Sequence, residues 1–216
     1  MQQAEIDTGI LSPSTDHWSP TIVAQTPFLR LENFLGTPRA DALLGYALTR
    51  QSDFVPGTVM DPLTGQLSSK GRRSQVLPVH SAVFSQHLAD SLPLAQDLLG
   101  VRAELTRSTT TLTAHGDGGY FGIHTDATKV EDPAQALSAI YYLHKRPRGF
   151  QGGQLRLYDT AVRDGRAQRA ETYRTIEPDH DTLVLFPSSA YHGVMASTCP
   201  SGQFADHRFT LTTWIS

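Results

Sequence analysis

Hydrophobic and polar residues follow different patterns in the two halves of this chain. In the first half, residues 37–50 (TPRADALLGYALTR) and 81–92 (SAVFSQHLADSL) each carry an apolar stripe at the spacing of an α-helix. Thr37 is predicted to cap the first helix, with Pro38 at its first position. Pro93 is predicted to interrupt the second helix before LAQDLLG, because proline removes a backbone hydrogen bond.

After residue 103, short strand-like runs follow one another, separated by clusters of Gly, Pro and Asp. The runs are ELTRSTTTLTA, ALSAIYYLHK, GGQLRLYD, AETYRTIE, DTLVLFPS, YHGVMAS and HRFTLTTWIS. Regularly spaced short strands with turn signals are typical of an all-β sandwich or barrel. Residues 28–35 are also predicted as a strand, and residues 55–73 as a long loop. The pattern therefore predicts a mainly β core with N-terminal flanking α-helices.

Length and composition indicate one ordinary domain. The chain has 216 residues, of which 39% are hydrophobic and 18% are charged, and its net charge is −3. Residues 1–26 are predicted to form an irregular N-terminal arm and residues 27–216 a single domain. No cluster of Lys and Arg is large enough to indicate a nucleic-acid surface, and no apolar run is long enough to span a membrane.

The N-terminus and the single cysteine bear on the compartment. Cys199 has no second cysteine with which to form an internal disulfide. The first 20 residues lack the basic start and the continuous apolar run of a signal peptide. The expected location is therefore the cytoplasm, with no membrane partner.

His124 and Asp126 form the most informative short motif, GIHTDAT. Residues i and i+2 of a strand point to the same face, so this imidazole and this carboxylate would project together. They supply two of the three ligands of a 2-His-1-carboxylate triad, which binds Fe(II) and leaves coordination positions open.

The third ligand should come from another strand. His192 follows the strongly apolar run DTLVLFPS and is the preferred candidate. His180, His207 and His144 compete for the role. His180 lies in a turn, His207 faces away from the neighbouring Arg208, and His144 ends a strand in a basic loop.

Arg208 and Thr210 share one face of the last predicted strand, HRFTLTTWIS. A buried arginine is costly unless it meets a carboxylate. A dicarboxylate co-substrate would provide one, held by a bidentate pair with a hydroxyl alongside.

Together these motifs resemble the Fe(II)/2-oxoglutarate-dependent dioxygenases, in particular the prolyl 4-hydroxylase-like branch. HGDGGYFGIHTD resembles the Gly-rich approach to the first ligands of that branch, and SAIYYLHK and GGQLRLYD resemble the strands that follow. DTLVLFPSSAYHGV resembles the segment around its distal histidine. The resemblance covers about residues 28–216, and the ordered set of matches is more specific than any single motif.

The resemblance implies a double-stranded β-helix (jelly-roll, cupin-like) core and oxidative chemistry. Fe(II) would be the metal and 2-oxoglutarate the co-substrate, with ascorbate as a supportive reductant. O₂ would be consumed, and succinate and CO₂ released, as a C–H bond is hydroxylated. Tyr142, the second residue of the Tyr pair, resembles a residue that contacts the distal carboxylate of 2-oxoglutarate.

Three further residues are candidates for contact with the substrate or for lining the pocket. His115 stands where members of the branch often carry tyrosine. Arg72 and Ser74 resemble an Arg-x-Ser strand near the substrate mouth of prolyl hydroxylases. The segment 193–207 is longer than usual in the branch and is interpreted as an extended hairpin that leaves Arg208 pointing inward.

The sequence therefore predicts a dioxygenase that hydroxylates a small molecule, either an amino acid or a natural-product intermediate. Asp126 argues against the halogenating relatives, which leave that ligand position open for chloride. A peptidyl substrate such as a prolyl residue is the first alternative, and a non-catalytic jelly-roll that binds or senses a ligand is the second. A metal-binding cupin is disfavoured because no H-x-H pair followed by Glu is present. The oligomeric state stays open.

Overall fold

A computed structural model of the chain describes residues 21–60, 65–127 and 136–216. Over these residues it contains helices α1 (Thr37–Thr49) and α2 (Ala82–Leu99), two short 3₁₀ turns and a large set of strands. The strands in chain order are β1 Ile22–Ala24, β2 Leu29–Glu32, β3 Val55–Pro56, β4 Val59–Met60, β5 Leu67–Ser68, β6 Arg72–Arg73, β7 Gln75–Pro78, β8 Ser108–His115, β9 Tyr120–His124, β10 Leu137–Leu143, β11 Gln151–Gly152, β12 Leu155–Arg163, β13 Arg166–Ile176, β14 Thr182–Pro187, β15 His192–Val194, β16 Ser197–Thr198 and β17 Arg208–Ile215.

Two antiparallel sheets form the core. One runs β2-β14-β10-β17-β8-β7-β3, and the other runs β1-β12-β15-β9-β6 with β13 on the second edge of β12. Neighbouring strands are far apart in sequence, as when β17 lies between β10 and β8. This arrangement is the predicted double-stranded β-helix, with the helices contributed by the N-terminal half, and the mainly β prediction is confirmed.

The central strands β14, β10 and β17 of the seven-stranded sheet are buried on both faces, and alternation along each strand separates the two faces. In β10, Leu137, Ala139, Tyr141 and Leu143 pack in the larger apolar cluster, which includes the buried residues of α1 and α2. Ile140 and Tyr142 belong instead to a second cluster inside the barrel. Strands buried on both faces are expected to be almost continuously apolar, as SAIYYL is. The helices therefore cover one face of the sheet and leave the other for the barrel interior.

Both helix predictions need a correction at one end. Thr37 is the first residue of α1 and not its cap: Gly36 occupies that position, and no side chain caps the helix. Pro93 does not interrupt α2, which continues to Leu99. Ala95, two residues beyond the proline, is buried in the larger apolar cluster. This packing offsets the loss of the one backbone hydrogen bond that proline cannot make.

Two irregular segments also differ from the predictions. The predicted loop 55–73 contains the short strands β3 to β6, and β6 joins the sheet that carries β9. The segment 193–207 is not a hairpin, because β16 within it pairs with β11 and is followed by a turn and a 3₁₀ turn. Residues 1–20 of the predicted irregular N-terminal arm lie outside the described residues, and its remaining part is not irregular, because β1 pairs with β12. None of the helices in the described part of the chain is long and apolar enough to cross a membrane.

Candidate active site

His124 and His192 lie side by side on adjacent strands. They are direct register partners of β9 and β15, and their ring centroids are 4.2 Å apart. The prediction that Asp126 shares a strand face with His124 is wrong, because β9 ends at His124. Asp126 lies in the following bend, where its backbone N–H donates to the carbonyl of Ser188. The bend still brings the carboxylate to the two imidazoles.

The three side chains converge on one point. The Nε2 atoms of His124 and His192 each lie 3.5 Å from a different carboxylate oxygen of Asp126. One potential ligand atom from each residue lies within 4.8 Å of the others. The Nδ1–H groups donate to backbone carbonyls of Gly122 (2.8 Å) and Ala190 (2.9 Å). These bonds fix both tautomers, so that the lone pairs on Nε2 face the centre of the group.

The carboxylate of Asp126 is strongly supported by neighbouring donors. Burial alone would raise its pKa, but the adjacent imidazoles of His124 and His192 and the donors on Ser138 and Trp214 together lower the pKa below its usual value. The Ser138 hydroxyl donates to Asp126 at 2.6 Å. Burial lowers the pKa of His192 to about 4, with Asp126 opposing the shift. The group therefore presents a carboxylate and a neutral imidazole at neutral pH.

The competing histidines lie away from this group. His144 and His180 contact each other, with ring centroids 5.4 Å apart, and His207 packs against Phe204. Over the described ranges, the triad is the only set of three His, Cys, Asp or Glu side chains with converging ligand atoms. The preference for His192 as the third member agrees with this geometry.

Arg208 is the largest fully buried side chain of the described chain. Its Nη1 donates to Nδ1 of His115 at 3.0 Å, and its guanidinium carbon lies 5.0 Å from the centroid of the Tyr142 ring. The Tyr142 hydroxyl is buried beside it without a hydrogen bond of ordinary geometry. No acidic side chain pairs with Arg208 among the residues that the structure describes. Burial accordingly lowers its pKa, and Tyr142 partly opposes the shift.

Arg72 reaches the same pocket from β6. Its Nε donates to the hydroxyl of Ser74 at 2.6 Å, and its guanidinium carbon lies 4.7 Å from the centroid of the Phe121 ring. Phe121 in turn stacks on His124 with a centroid separation of 3.8 Å. Burial lowers the pKa of Arg72, and the charge of Asp126 opposes this. Ser74 does not itself line the pocket, but it accepts a hydrogen bond from Arg72, which does.

Both sheets line the pocket that contains these groups. Its walls are Arg72, Thr113, His115, Phe121, His124, Asp126, Ile140, His192, Val194, Arg208, Thr210, Thr212 and Trp214. The sequence analysis singled out neither Trp214, which lines the pocket, nor Ser138, which contacts Asp126. Trp214 shares the strand face of Arg208 and Thr210, which was a usable signal, whereas Ser138 carries none because its partner lies across the fold.

The residues present suit an iron ion and a dicarboxylate. Two imidazoles and one carboxylate form the donor set of a 2-His-1-carboxylate site. Three buried polar atoms on the pocket wall have no hydrogen-bond partner among the described residues: Oγ1 of Thr113, Nε2 of His115 and Nε of Arg208. Unpaired buried polar atoms are rare in native proteins, so their convergence indicates a polar ligand.

The sequence model of the 2OG-Fe(II) oxygenase superfamily matches residues 110–216, the stretch that carries the triad and Arg208. The second half of the chain is thus similar to this superfamily. An uncharacterized PKHD-type hydroxylase of Synechocystis sp. is 28% identical over 218 residues, covering 99% of this chain and 71% of that protein. With the triad, these similarities identify the chain as a 2-oxoglutarate-dependent oxygenase, and the superfamily that it resembles implies Fe(II) and 2-oxoglutarate, as predicted.

Solved structures agree on the fold. A prolyl-4-hydroxylase of Pseudomonas putida superimposes with a TM-score of 0.63 at 23% identity, covering 88% of this chain and 92% of the other. A prolyl hydroxylase of Trichoplax adhaerens, solved with a peptide fragment of hypoxia inducible factor, gives 0.63 at 20% identity, with coverages of 87% and 82%. The predicted resemblance to the prolyl 4-hydroxylase-like branch is thus confirmed in the fold.

Proposed function

We propose that this oxygenase hydroxylates a C–H bond of a small molecule that carries a carboxylate, such as a free amino acid or a natural-product intermediate. His124, Asp126 and His192 would hold the iron, and Arg208 and Thr210, with Tyr142, would bind 2-oxoglutarate. When bound, the iron would supply activation of O₂, which is the oxidant, and 2-oxoglutarate would be the co-substrate that is oxidised to succinate and CO₂. The chain itself binds, orients and shields the reactants.

The surroundings of Arg72 are the observation that favours a substrate with a carboxylate. It is a half-buried cation on the wall of the triad pocket, and no acidic side chain of the described chain lies within ion-pair distance. Nε of Arg72 donates to Ser74, and the guanidinium packs over the Phe121 ring. The two terminal amino groups of Arg72 make no hydrogen bond to described residues. A preorganised guanidinium with two free amino groups binds a carboxylate in bidentate fashion.

A prolyl residue of a peptide is the second candidate. The solved relative from Trichoplax adhaerens was bound to a peptide fragment, and its fold is similar to that of this chain. In that case Arg72 would bind a backbone carbonyl, which accepts hydrogen bonds but carries no charge. The two candidates therefore differ in whether the substrate must be an anion.

Succinate formation tests the proposal in two stages. Wild type and His124→Ala are first compared with Fe(II), 2-oxoglutarate, ascorbate and O₂ but no substrate. Slow turnover that disappears in His124→Ala is expected. If both proteins are inactive and 2-oxoglutarate gives no charge-transfer band with the anaerobic Fe(II) protein, the chain is instead a non-catalytic binding module.

The second stage compares the twenty free amino acids with their N-acetyl amides and with proline-containing peptides. A free acid should stimulate turnover while its neutral amide does not. Arg72→Gln should raise the KM for that acid by about tenfold or more, the loss expected for a charge-assisted pair. Arg73→Gln is the matched control, because Arg73 is exposed on the same strand and does not line the pocket. Stimulation by peptides alone would support the second candidate.

A further inference from the structure

His115 and Arg208 face each other across two neighbouring strands. His115 is the last residue of β8, and its register partner on β17 is Arg208. The side chains are 3% and 1% exposed, and Arg208 donates from Nη1 to Nδ1 of His115 at 3.0 Å. A buried arginine usually meets an acidic group, yet here its hydrogen-bonding partner is an imidazole.

The contact fixes the protonation of His115. A guanidinium can only donate, so Nδ1 must carry a lone pair and the proton of the neutral ring must be on Nε2. Burial and the neighbouring charge of Arg208 hold the pKa of His115 well below its usual value. The imidazole therefore stays neutral at neutral pH and acts as a stable acceptor for Arg208.

The surroundings leave the arginine few other constraints. Its Nε has no partner among the described residues, and its guanidinium carbon lies 5.0 Å from the centroid of the Tyr142 ring. Gly153 lies against the stem, where an added Cβ would come within 2.7 Å of Arg208 Cδ. His115 thus supplies the one described hydrogen bond that sets the direction of the guanidinium.

We infer that His115 is a positioning residue that holds Arg208 in the orientation that binds the carboxylate of 2-oxoglutarate. This inference rests on the proposed role of Arg208 in binding that co-substrate. Holding the guanidinium in advance reduces the conformational entropy that is lost when the ligand binds. Nε2–H of His115 has no partner among the described residues, so the test must distinguish positioning of Arg208 from direct donation to the ligand.

Three substitutions separate these roles. His115→Asn keeps a polar atom near the position of Nδ1 and loses Nε2, whereas His115→Gln keeps one near Nε2 and loses Nδ1. His115→Phe removes both. The measurement is the Kd of 2-oxoglutarate by calorimetry, on protein loaded with Mn(II) under anaerobic conditions, so that no turnover is involved. Thermal unfolding establishes that each variant is folded.

If His115 acts by positioning Arg208, His115→Phe and His115→Gln should weaken 2-oxoglutarate binding on the order of tenfold or more. His115→Asn should bind 2-oxoglutarate within about threefold of wild type. In an Arg208→Ala background, His115→Phe should cause no further loss. Retained binding in Gln with loss in Asn would overturn the inference in favour of direct donation. Wild-type affinity in the Phe variant would also overturn it. If wild type itself does not bind 2-oxoglutarate, the proposed function fails instead.

Discussion

Single side chains outside the triad of His124, Asp126 and His192 determine how the triad is arranged. Ser138 is fully buried on β10, donates to Asp126 at 2.6 Å and lies 2.9 Å from the hydroxyl of Ser188. The carboxylate is therefore held by groups that would not themselves touch the metal. Such outer partners orient ligands, and their loss typically weakens metal affinity by about ten- to a hundredfold.

Ser138→Ala is accordingly expected to weaken Mn(II) binding by about tenfold without unfolding the protein. The lost hydrogen bond frees the carboxylate to rotate away from the two imidazoles. Titration of Mn(II) followed by electron paramagnetic resonance measures the free ion directly. Ser188→Ala is the control, because its hydroxyl contacts Ser138 and not Asp126, and it should change the affinity less. Equal affinities in wild type and Ser138→Ala would contradict this account.

At the scale of elements, alternation along strands separates structure from chemistry. On β17, Phe209, Leu211 and Ile215 pack in the apolar cluster with the helices, while Arg208, Thr210, Thr212 and Trp214 face the pocket. A strand with period two can therefore serve both faces at once. The positions that carry chemistry are those that interrupt the apolar run.

Gly153 connects an element to this chemistry. Both Gly153 and Gly165 have φ of +71°, but a Cβ at Gly153 would meet Arg208 Cδ at 2.7 Å, whereas Gly165 has open space around it. Alanine at either position should cost about 1–2 kcal/mol of stability from backbone strain. Only Gly153→Ala should also weaken 2-oxoglutarate binding, measured by calorimetry on Mn(II)-loaded protein. Equal affinities in the two variants would show that Arg208 tolerates displacement of its stem.

Pro93 tests how packing overrides local preference in α2. The proline is exposed in the middle of the helix and removes one backbone donor. Pro93→Ala is expected to stabilise the protein by about 1–3 kcal/mol, because alanine restores the donor and has the highest helix propensity. Pro38→Ala is the matched control, since a proline near the start of a helix loses nothing that the helix needs. Denaturant unfolding of both variants measures the difference, and an unchanged midpoint for Pro93→Ala would contradict it.

The sequence predicted which side chains the fold brings together in one pocket better than it predicted the ends of helices and strands. His124, His192 and Arg208 were found because each interrupts an apolar strand in a recognisable order, and their geometry depends on strand pairing that the fold supplies. The end of β9 before Asp126, the continuation of α2 beyond Pro93 and the contact of Ser138 with Asp126 all depend on partners distant in the chain. Local pattern carries no information on such partners, so these features required the structure.

Across the whole molecule, neutral histidines are buried at several points, and this makes stability depend on pH. His144 is 7% exposed; its Nδ1–H donates to the carbonyl of Lys145, and its Nε2 is buried without a hydrogen bond to described residues. Burial lowers the pKa of His144 to about 4, opposed by the Lys145 bond. Well above pH 6.5, the His144 ring is neutral in both the folded and the unfolded chain, so it adds no pH dependence to the free energy of unfolding.

As the pH falls below about 6.5, the unfolded chain binds a proton at His144, whereas the folded chain does not bind it until about pH 4. Stability is therefore lost across this window, by on the order of 2–3 kcal/mol for this one group. His144→Asn keeps a donor for the Lys145 carbonyl but cannot be protonated, so its stability should fall less between pH 7 and pH 4 than that of wild type. Denaturant unfolding of the metal-free proteins at a series of pH values measures the slopes. His87→Asn is the control, because the half-buried His87 makes the same kind of bond to a backbone carbonyl; its slope shows what a His-to-Asn substitution does at another site. Identical slopes for wild type and His144→Asn would show that the folded chain accepts the proton at His144 without cost, and burial of this ring would then not govern acid stability.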